Sequence, residues 1–194
     1  MVRGGRGRWA HGHEDHGAVT WFLSGVPVLS DRGRAAKTDS VALAWSRSMP
    51  AHSTFEPVGQ IRSGHTRMSL LGPTRYRFTD RPGGSTRGRD ITFNARTISV
   101  TDTAAVPTTD PLTPWTWVQH WQLAPGWVPD ETGATYTDGT RLDIVCSAGA
   151  LTSTAVTSYI NESTPEAAWD VSCSATGTSV SVTTTLTVTP PPPV

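Results

Sequence analysis

His11-Gly12-His13-Glu14-Asp15-His16-Gly17-Ala18-Val19-Thr20-Trp21-Phe22-Leu23 is the stretch on which the reading of this chain turns. Half of the six histidines fall between residues 11 and 16, and the run behind them is apolar and rich in β-formers. A strand over Ala18–Leu23 with the cluster at its start is predicted. Side chains on a strand alternate between faces, which puts His11, His13 and Asp15 on one face and Gly12, Glu14 and His16 on the other. Two imidazoles at i and i+2 can converge on one ion or one substrate group. Ser24-Gly25 is a two-residue hairpin signal, and Val26–Leu29 reads as the return strand.

The same reading extends along the chain. Short alternating segments are predicted at Thr66–Leu71, Arg75–Asp80, Asp90–Phe93 and Thr97–Asp102, divided by turn clusters such as Asp80-Arg81-Pro82-Gly83-Gly84. Trp115–Leu123 is the strongest strand. It places Trp115, Trp117, Trp121 and Leu123 on one face, and Thr116, Val118, His120 and Gln122 on the other. Such a Trp stripe suits core packing better than sugar stacking. Further strands are expected at Arg141–Ser147, Ala150–Tyr159, Ala168–Ser174 and Thr178–Val188. Val41–Trp45 reads equally as a short helix or a strand, and Ala104–Thr113 as a surface loop. The fold class is therefore all-β, an antiparallel β-sandwich. Residues 1–10 are expected to form a disordered basic arm, 11–189 the sandwich, and 190–194 a Pro-rich tail.

Composition supports this and narrows function. The chain of 194 residues has one lysine and eight tryptophans. Its formal net charge is zero, so bulk charge argues for neither nucleic acid nor a membrane surface. No apolar run approaches the ~20 residues of a bilayer span. The basic start Met1–Arg8 has no apolar core after it, so no export signal is read. That leaves a cytoplasmic protein or a piece of a longer one. Cys146 and Cys173 fit a bridge between two strands, worth about 3–4 kcal/mol on the chain-entropy model, equally with two buried thiols.

Two residues join the first cluster. Asp31 ends the return strand of the hairpin, which brings it beside His13. If the extended segment opening at His52 is their neighbour, His13, Asp31 and His52 form a His₂-carboxylate set that suits Zn²⁺. The alternative is a polar junction of hydrogen-bonded strand-end residues.

Taken together, these stretches resemble a known family. His-Gly-His-Glu-Asp-His-Gly, the apolar hairpin to Val28-Leu29-Ser30-Asp31-Arg32-Gly33, and Ser46-Arg47-Ser48-Met49-Pro50-Ala51-His52-Ser53-Thr54 are similar to the heparinase II/III-like C-terminal domain. Ser53 stands where members usually carry Asn. Thr97–Asp102 resembles the family's Val-x-Asp strand, and Gln119–Gly126 its x-His-Trp-x-Leu-x-Pro strand. The likeness spans roughly residues 9–150.

The resemblance implies a supersandwich-like β-sandwich from a polysaccharide lyase, secreted or periplasmic, that cleaves uronic-acid-containing glycans by β-elimination. It implies that His11 is the catalytic histidine at the cleft, that His13, Asp31 and His52 ligate a structural zinc, and that His120 and Arg47 lie toward substrate. The implied partners are an acidic polysaccharide and an N-terminal helical toroid that carries the base tyrosine; nucleic acid and membrane are not implied. No helical segment precedes His11, and Tyr76, Tyr136 and Tyr159 match no family position. The expectation is a chain that does not turn over polymer without the toroid. The alternatives are a non-catalytic carbohydrate-binding or structural sandwich, and a cupin-type metal enzyme, which would need one more ligand near the cluster.

Overall fold

The alternation read in Trp115–Leu123 builds the centre of the molecule. In the computed structural model this strand buries Trp117, Gln119, Trp121 and Leu123 completely. The structure describes residues 13–59, 66–107, 109, 111–160 and 164–191. In chain order the strands are β1 (Trp21–Leu23), β2 (Val26–Leu29), β3 (Phe55–Pro57), β4 (Arg67–Gly72), β5 (Arg75–Asp80), β6 (Thr86–Phe93), β7 (Thr97–Ala105) and β8 (Trp115–Leu123). Then come β9 (Trp127–Asp130), β10 (Gly133–Tyr136), β11 (Arg141–Cys146), β12 (Thr152–Ser158), β13 (Glu166–Gly177) and β14 (Ser179–Thr189). One helix, α1 (Ser40–Ser46), lies between β2 and β3.

Two antiparallel sheets face each other. One runs β1-β2-β8-β13-β12, with β3 also paired to β8; the other runs β4-β5-β6-β7-β14-β11-β10-β9. β14 shows why they stack. Val182, Thr184, Leu186 and Val188 are buried, while Ser181 and the alternating threonines 183, 185 and 187 face outward. Trp121, Trp127, Val100, Ile91 and Leu186 fill one end of the core, and Phe55, Trp117 and Val182 the other. Several cross-links join the sheets. Trp127 Nε1 on β9 donates to the Pro27 carbonyl on β2 at 2.7 Å, and a disulfide joins Cys146 on β11 to Cys173 on β13. No helix among the described residues is long and apolar enough to cross a membrane.

Several sequence expectations change. The predicted strand over Ala18–Leu23 shortens to β1, because Gly17 turns the chain at φ +76 and the Ala18 amide closes onto the Asp15 carbonyl. His13 and Asp15 therefore sit in a loop, and the shared strand face does not form. Ser24 and Gly25 both take positive φ, as the hairpin signal required. The ambiguous segment is helical because the Asp39 carboxylate accepts from the Ala42 amide and caps α1. Met49–Ala51 is a 3₁₀ turn with Pro50 in its first turn, and the chain becomes extended at His52. β7 continues to Ala105, and β9 and β10 form a hairpin that the sequence reading passed over. β14 ends at Thr189, immediately before proline removes the next amide donor. The predicted basic arm, residues 1–10, lies outside the described residues.

Inside the sandwich, Arg89 is 4% exposed and pairs with Asp102 through two 2.7 Å hydrogen bonds. Gln119 Nε2 donates to the same carboxylate at 2.7 Å. Removing the acid would leave a guanidinium and an amide buried without their acceptor. Asp102→Ala is expected to cost about 3–5 kcal/mol, measured by urea unfolding. A loss below 1 kcal/mol would show that the core does not depend on this pair.

Candidate metal centre

His13 precedes β1, Asp31 follows β2, and His52 closes the 3₁₀ turn before β3. The structure brings these three residues together. One ligand atom from each lies within 4.8 Å of the others. His52 Nδ1 stands 3.2 Å from Asp31 Oδ2, and the two imidazole rings are 5.2 Å apart and tilted by 47°.

Each of the three is held by its own backbone. The second oxygen of Asp31 accepts from the Gly33 amide at 2.9 Å, an Asx turn that fixes the carboxylate. Gly33 itself has φ +70, and a Cβ there would stand 2.2 Å from the Tyr159 carbonyl oxygen, so the turn is closed to other residues. The Glu14 amide donates to the Arg47 carbonyl at 2.8 Å and anchors the loop after His13. Arg89 Nη1 reaches from the core to the carbonyls of Gly17 at 2.9 Å and Ser53 at 2.7 Å.

Gln122 on β8 ties the remaining pieces together. Its backbone amide donates to Ser53 Oγ at 3.0 Å, and its carbonyl accepts from the Ser30 amide at 3.0 Å. Its side chain donates to the Pro50 carbonyl at 2.7 Å and accepts from Arg32 Nε at 2.5 Å. The residues flanking Asp31 and the segment flanking His52 are thus held by one fully buried glutamine. Ser53, where the resembled family carries Asn, still supplies a side-chain acceptor.

The donor set fits a zinc ion. His52 is 1% exposed, yet neither of its ring nitrogens makes a hydrogen bond, since the contact with Asp31 is not angled as one. An unsatisfied buried polar group of this kind costs about 1–3 kcal/mol. Ligands about 2.0–2.1 Å from a tetrahedral zinc stand roughly 3.3 Å apart, close to the 3.2 Å between His52 and Asp31. Burial, followed by the neighbouring His52, lowers the pKa of His13 despite the opposing charges of Asp31 and Asp15. A neutral ring is the form that ligates.

His120 sits elsewhere, under the 50–56 segment. Its Nδ1 is 2.7 Å from Asp170 Oδ2 and its Nε2 is 3.3 Å from Glu56 Oε1. Burial pulls the ring's pKa down. Hydrogen bonds to Asp170 and then Glu56, together with their charges, outweigh that and raise it to about 9. Any contact of His120 with a substrate would have to break one of these pairs. Arg47 is half-buried and lies close enough to His13 to lower its pKa. His11 lies outside the described residues. Sequence reasoning missed Glu56, Asp170 and the inward arginines 87 and 89. Alternating arginines on a strand read as a solvent face, and only the carboxylates opposite them, Asp80 and Asp102, signal otherwise.

The two-sheet sandwich has the fold of the C-terminal sandwich of heparinase III-type structures. The chain aligns with a heparinase III at a TM-score of 0.80 and 13% identity, over 97% of this chain and 32% of that one. It aligns with the heparan sulfate lyase HepC from Pedobacter heparinus at 0.79 and 17% identity, over 96% of this chain and 32% of that one. The likeness at these identities is one of fold. The chain spans about a third of the length of these structures. No family model and no curated protein matches it in sequence.

The His120 cluster predicts a pH dependence. The folded pKa of about 9 lies above the ordinary 6.5, so the stabilisation is complete below about pH 6.5 and is lost as pH rises toward 9. The loss is of order 3 kcal/mol. Denaturation midpoints measured from pH 6 to 10 should fall across that window, and His120→Gln should flatten the fall.

Proposed function

We propose that this chain is the sandwich part of a polysaccharide lyase acting on uronic-acid-containing glycans, and that His13, Asp31 and His52 hold a structural zinc within it. The observation that carries the reading is the unpartnered His52 ring facing Asp31 and His13 on a heparinase III-type sandwich. The metal would supply the bonds that the His52 ring lacks. It would also clamp together the loop before β1, the end of β2 and the turn before β3.

β-Elimination needs three things: neutralisation of the uronate carboxylate, removal of the C5 proton, and protonation of the leaving oxygen. In this reading His11 is the cleft histidine, two residues before His13 in the chain. His120 and Arg47 belong to the substrate side only indirectly. His120 sets the backbone of the 54–56 segment, and Arg47 holds the loop after His13 through its carbonyl. The base and the remaining acid belong to the helical part of such a lyase. The disulfide between the sheets favours an oxidising compartment, outside the cytoplasm or in the periplasm.

Two measurements test this. Metal analysis of the purified chain should find one zinc per chain, lost in His52→Ala and weakened at least tenfold in Gln122→Leu. A metal-free wild-type chain with unchanged thermal stability would overturn the zinc reading. On heparan sulfate the chain alone should produce no ultraviolet absorbance from unsaturated uronate ends. Steady turnover by the chain alone would refute its dependence on a helical domain.

A further inference from the structure

The outer face of the second sheet is paved differently from the rest of the molecule. Threonines 97, 101 and 103 with Ser99 on β7, and Ser181 with threonines 183, 185 and 187 on β14, point outward in register. Thr101 and Thr183 hydroxyls meet at 2.9 Å. At the β4–β5 edge this hydroxyl floor meets cations. Arg67, Arg75, Arg77 and Arg81 lie along that edge, all exposed. The carboxylate on that face of β6, Asp90, is engaged by Arg77 at 2.7 Å and Arg75 at 3.6 Å.

Arg67 and Arg81 have no ion-pair partner among the described residues. They flank an open groove of about 830 Å³ whose walls include Thr79, Thr86, Thr103 and Ser179. Asp80 also reaches this groove, but its carboxylate is held at both oxygens by the buried Arg87. At the opposite edge of the sheet, Arg141 is neutralised by Asp130 and Asp143. Two exposed guanidinium groups without an ion pair among the described residues thus lie together on one edge of this face.

From this we infer that the outer face of the second sheet is a non-catalytic binding surface for an acidic glycan chain, anchored at the Arg67/Arg81 groove. Guanidinium forks match sulfate and carboxylate oxygens, and the adjoining hydroxyl rows offer donors and acceptors to sugar hydroxyls. The groove belongs to the sheet opposite the one that carries Asp31 and the Gln122 contacts. The inference rests on the proposed function only for the ligand's class.

The test uses the full chain and a size-defined heparan sulfate octasaccharide, with titration calorimetry as the readout. Arg67→Ser/Arg81→Ser should weaken binding at least tenfold with an unchanged melting temperature, both residues being exposed on or beside an edge strand. Arg96→Ser, which removes an exposed guanidinium in the turn between β6 and β7, should change affinity less than threefold. So should Arg3→Ser/Arg6→Ser/Arg8→Ser, which removes the basic charge of the N-terminal stretch. Undiminished binding by the groove variant would overturn the inference, as would binding abolished by the N-terminal variant or no binding by the wild-type chain. None of these outcomes bears on the zinc content of the wild-type chain, which tests the proposed function separately.

Discussion

Gln122 is buried with every one of its polar groups engaged, and the geometry of the candidate site follows from that constraint. A buried amide that lost a partner would carry the full desolvation penalty of the orphaned group, about 1–3 kcal/mol. Its four partners lie on residues 30, 32, 50 and 53, so the two ligand-bearing segments cannot shift independently. Arg89 does the same from the other side of β8, gripping the carbonyls of Gly17 and Ser53 while Asp102 neutralises it. Loops are ordinarily the mobile part of a sandwich. Here they are clamped to the core through polar groups that have no water to fall back on.

This clamp explains why so much charge is buried in a small β-protein. Arg32, Arg87, Arg89, Asp80 and Asp102 are all at most 7% exposed. A hydrophobic replacement of a paired set is often no less stable, so stability alone is a weak reason for it. What each pair does is fix backbone that carries site residues. Arg87 reaches the Phe55 carbonyl, and Arg32 the Trp169 carbonyl and Gln122. Burial draws the pKa of Arg32 down to about 10 against the raising charges of Asp170 and Asp31, leaving it a cation at neutral pH. These arginines act as rigid braces between strand and loop, a use in which geometry matters more than energy.

The sandwich was legible because β8 and β14 alternate cleanly, and the hairpin because Ser24-Gly25 demands positive φ. The cluster of His13, Asp31 and His52 was legible as residue types, and its closeness was expected for a partly mistaken reason. The strand-face argument placed His13 and Asp15 together on a β-strand, but Gly17 turns the chain first and His13 reaches Asp31 from a loop. The hairpin argument for Asp31 survives, since β2 does end beside the cluster. Glu56 and Asp170 were invisible as partners of His120. They are 114 residues apart in the chain, and only the pairing of β3 and β13 on either side of β8 brings them to one ring. β9 and β10 are each four residues long, too short for an alternating pattern to rise above the surrounding turn residues.

The two outer faces of the sandwich differ for one reason. Over the first sheet the chain between β2 and β3 folds back and covers β8, so the even positions of that strand become interior, and His120 and Gln122 must find partners there. Over the second sheet no described segment returns, and the outward positions of β7 and β14 remain hydroxyls that water can satisfy. Covering a sheet with a loop layer turns its polar residues into obligatory contacts, and obligatory contacts can hold two imidazoles and a carboxylate close together. Leaving a sheet bare keeps its side chains available to a partner that arrives from solution. On this sandwich, a preorganised cluster on one side and an open polar floor on the other are consequences of where a single stretch of chain, residues 30 to 54, comes to rest.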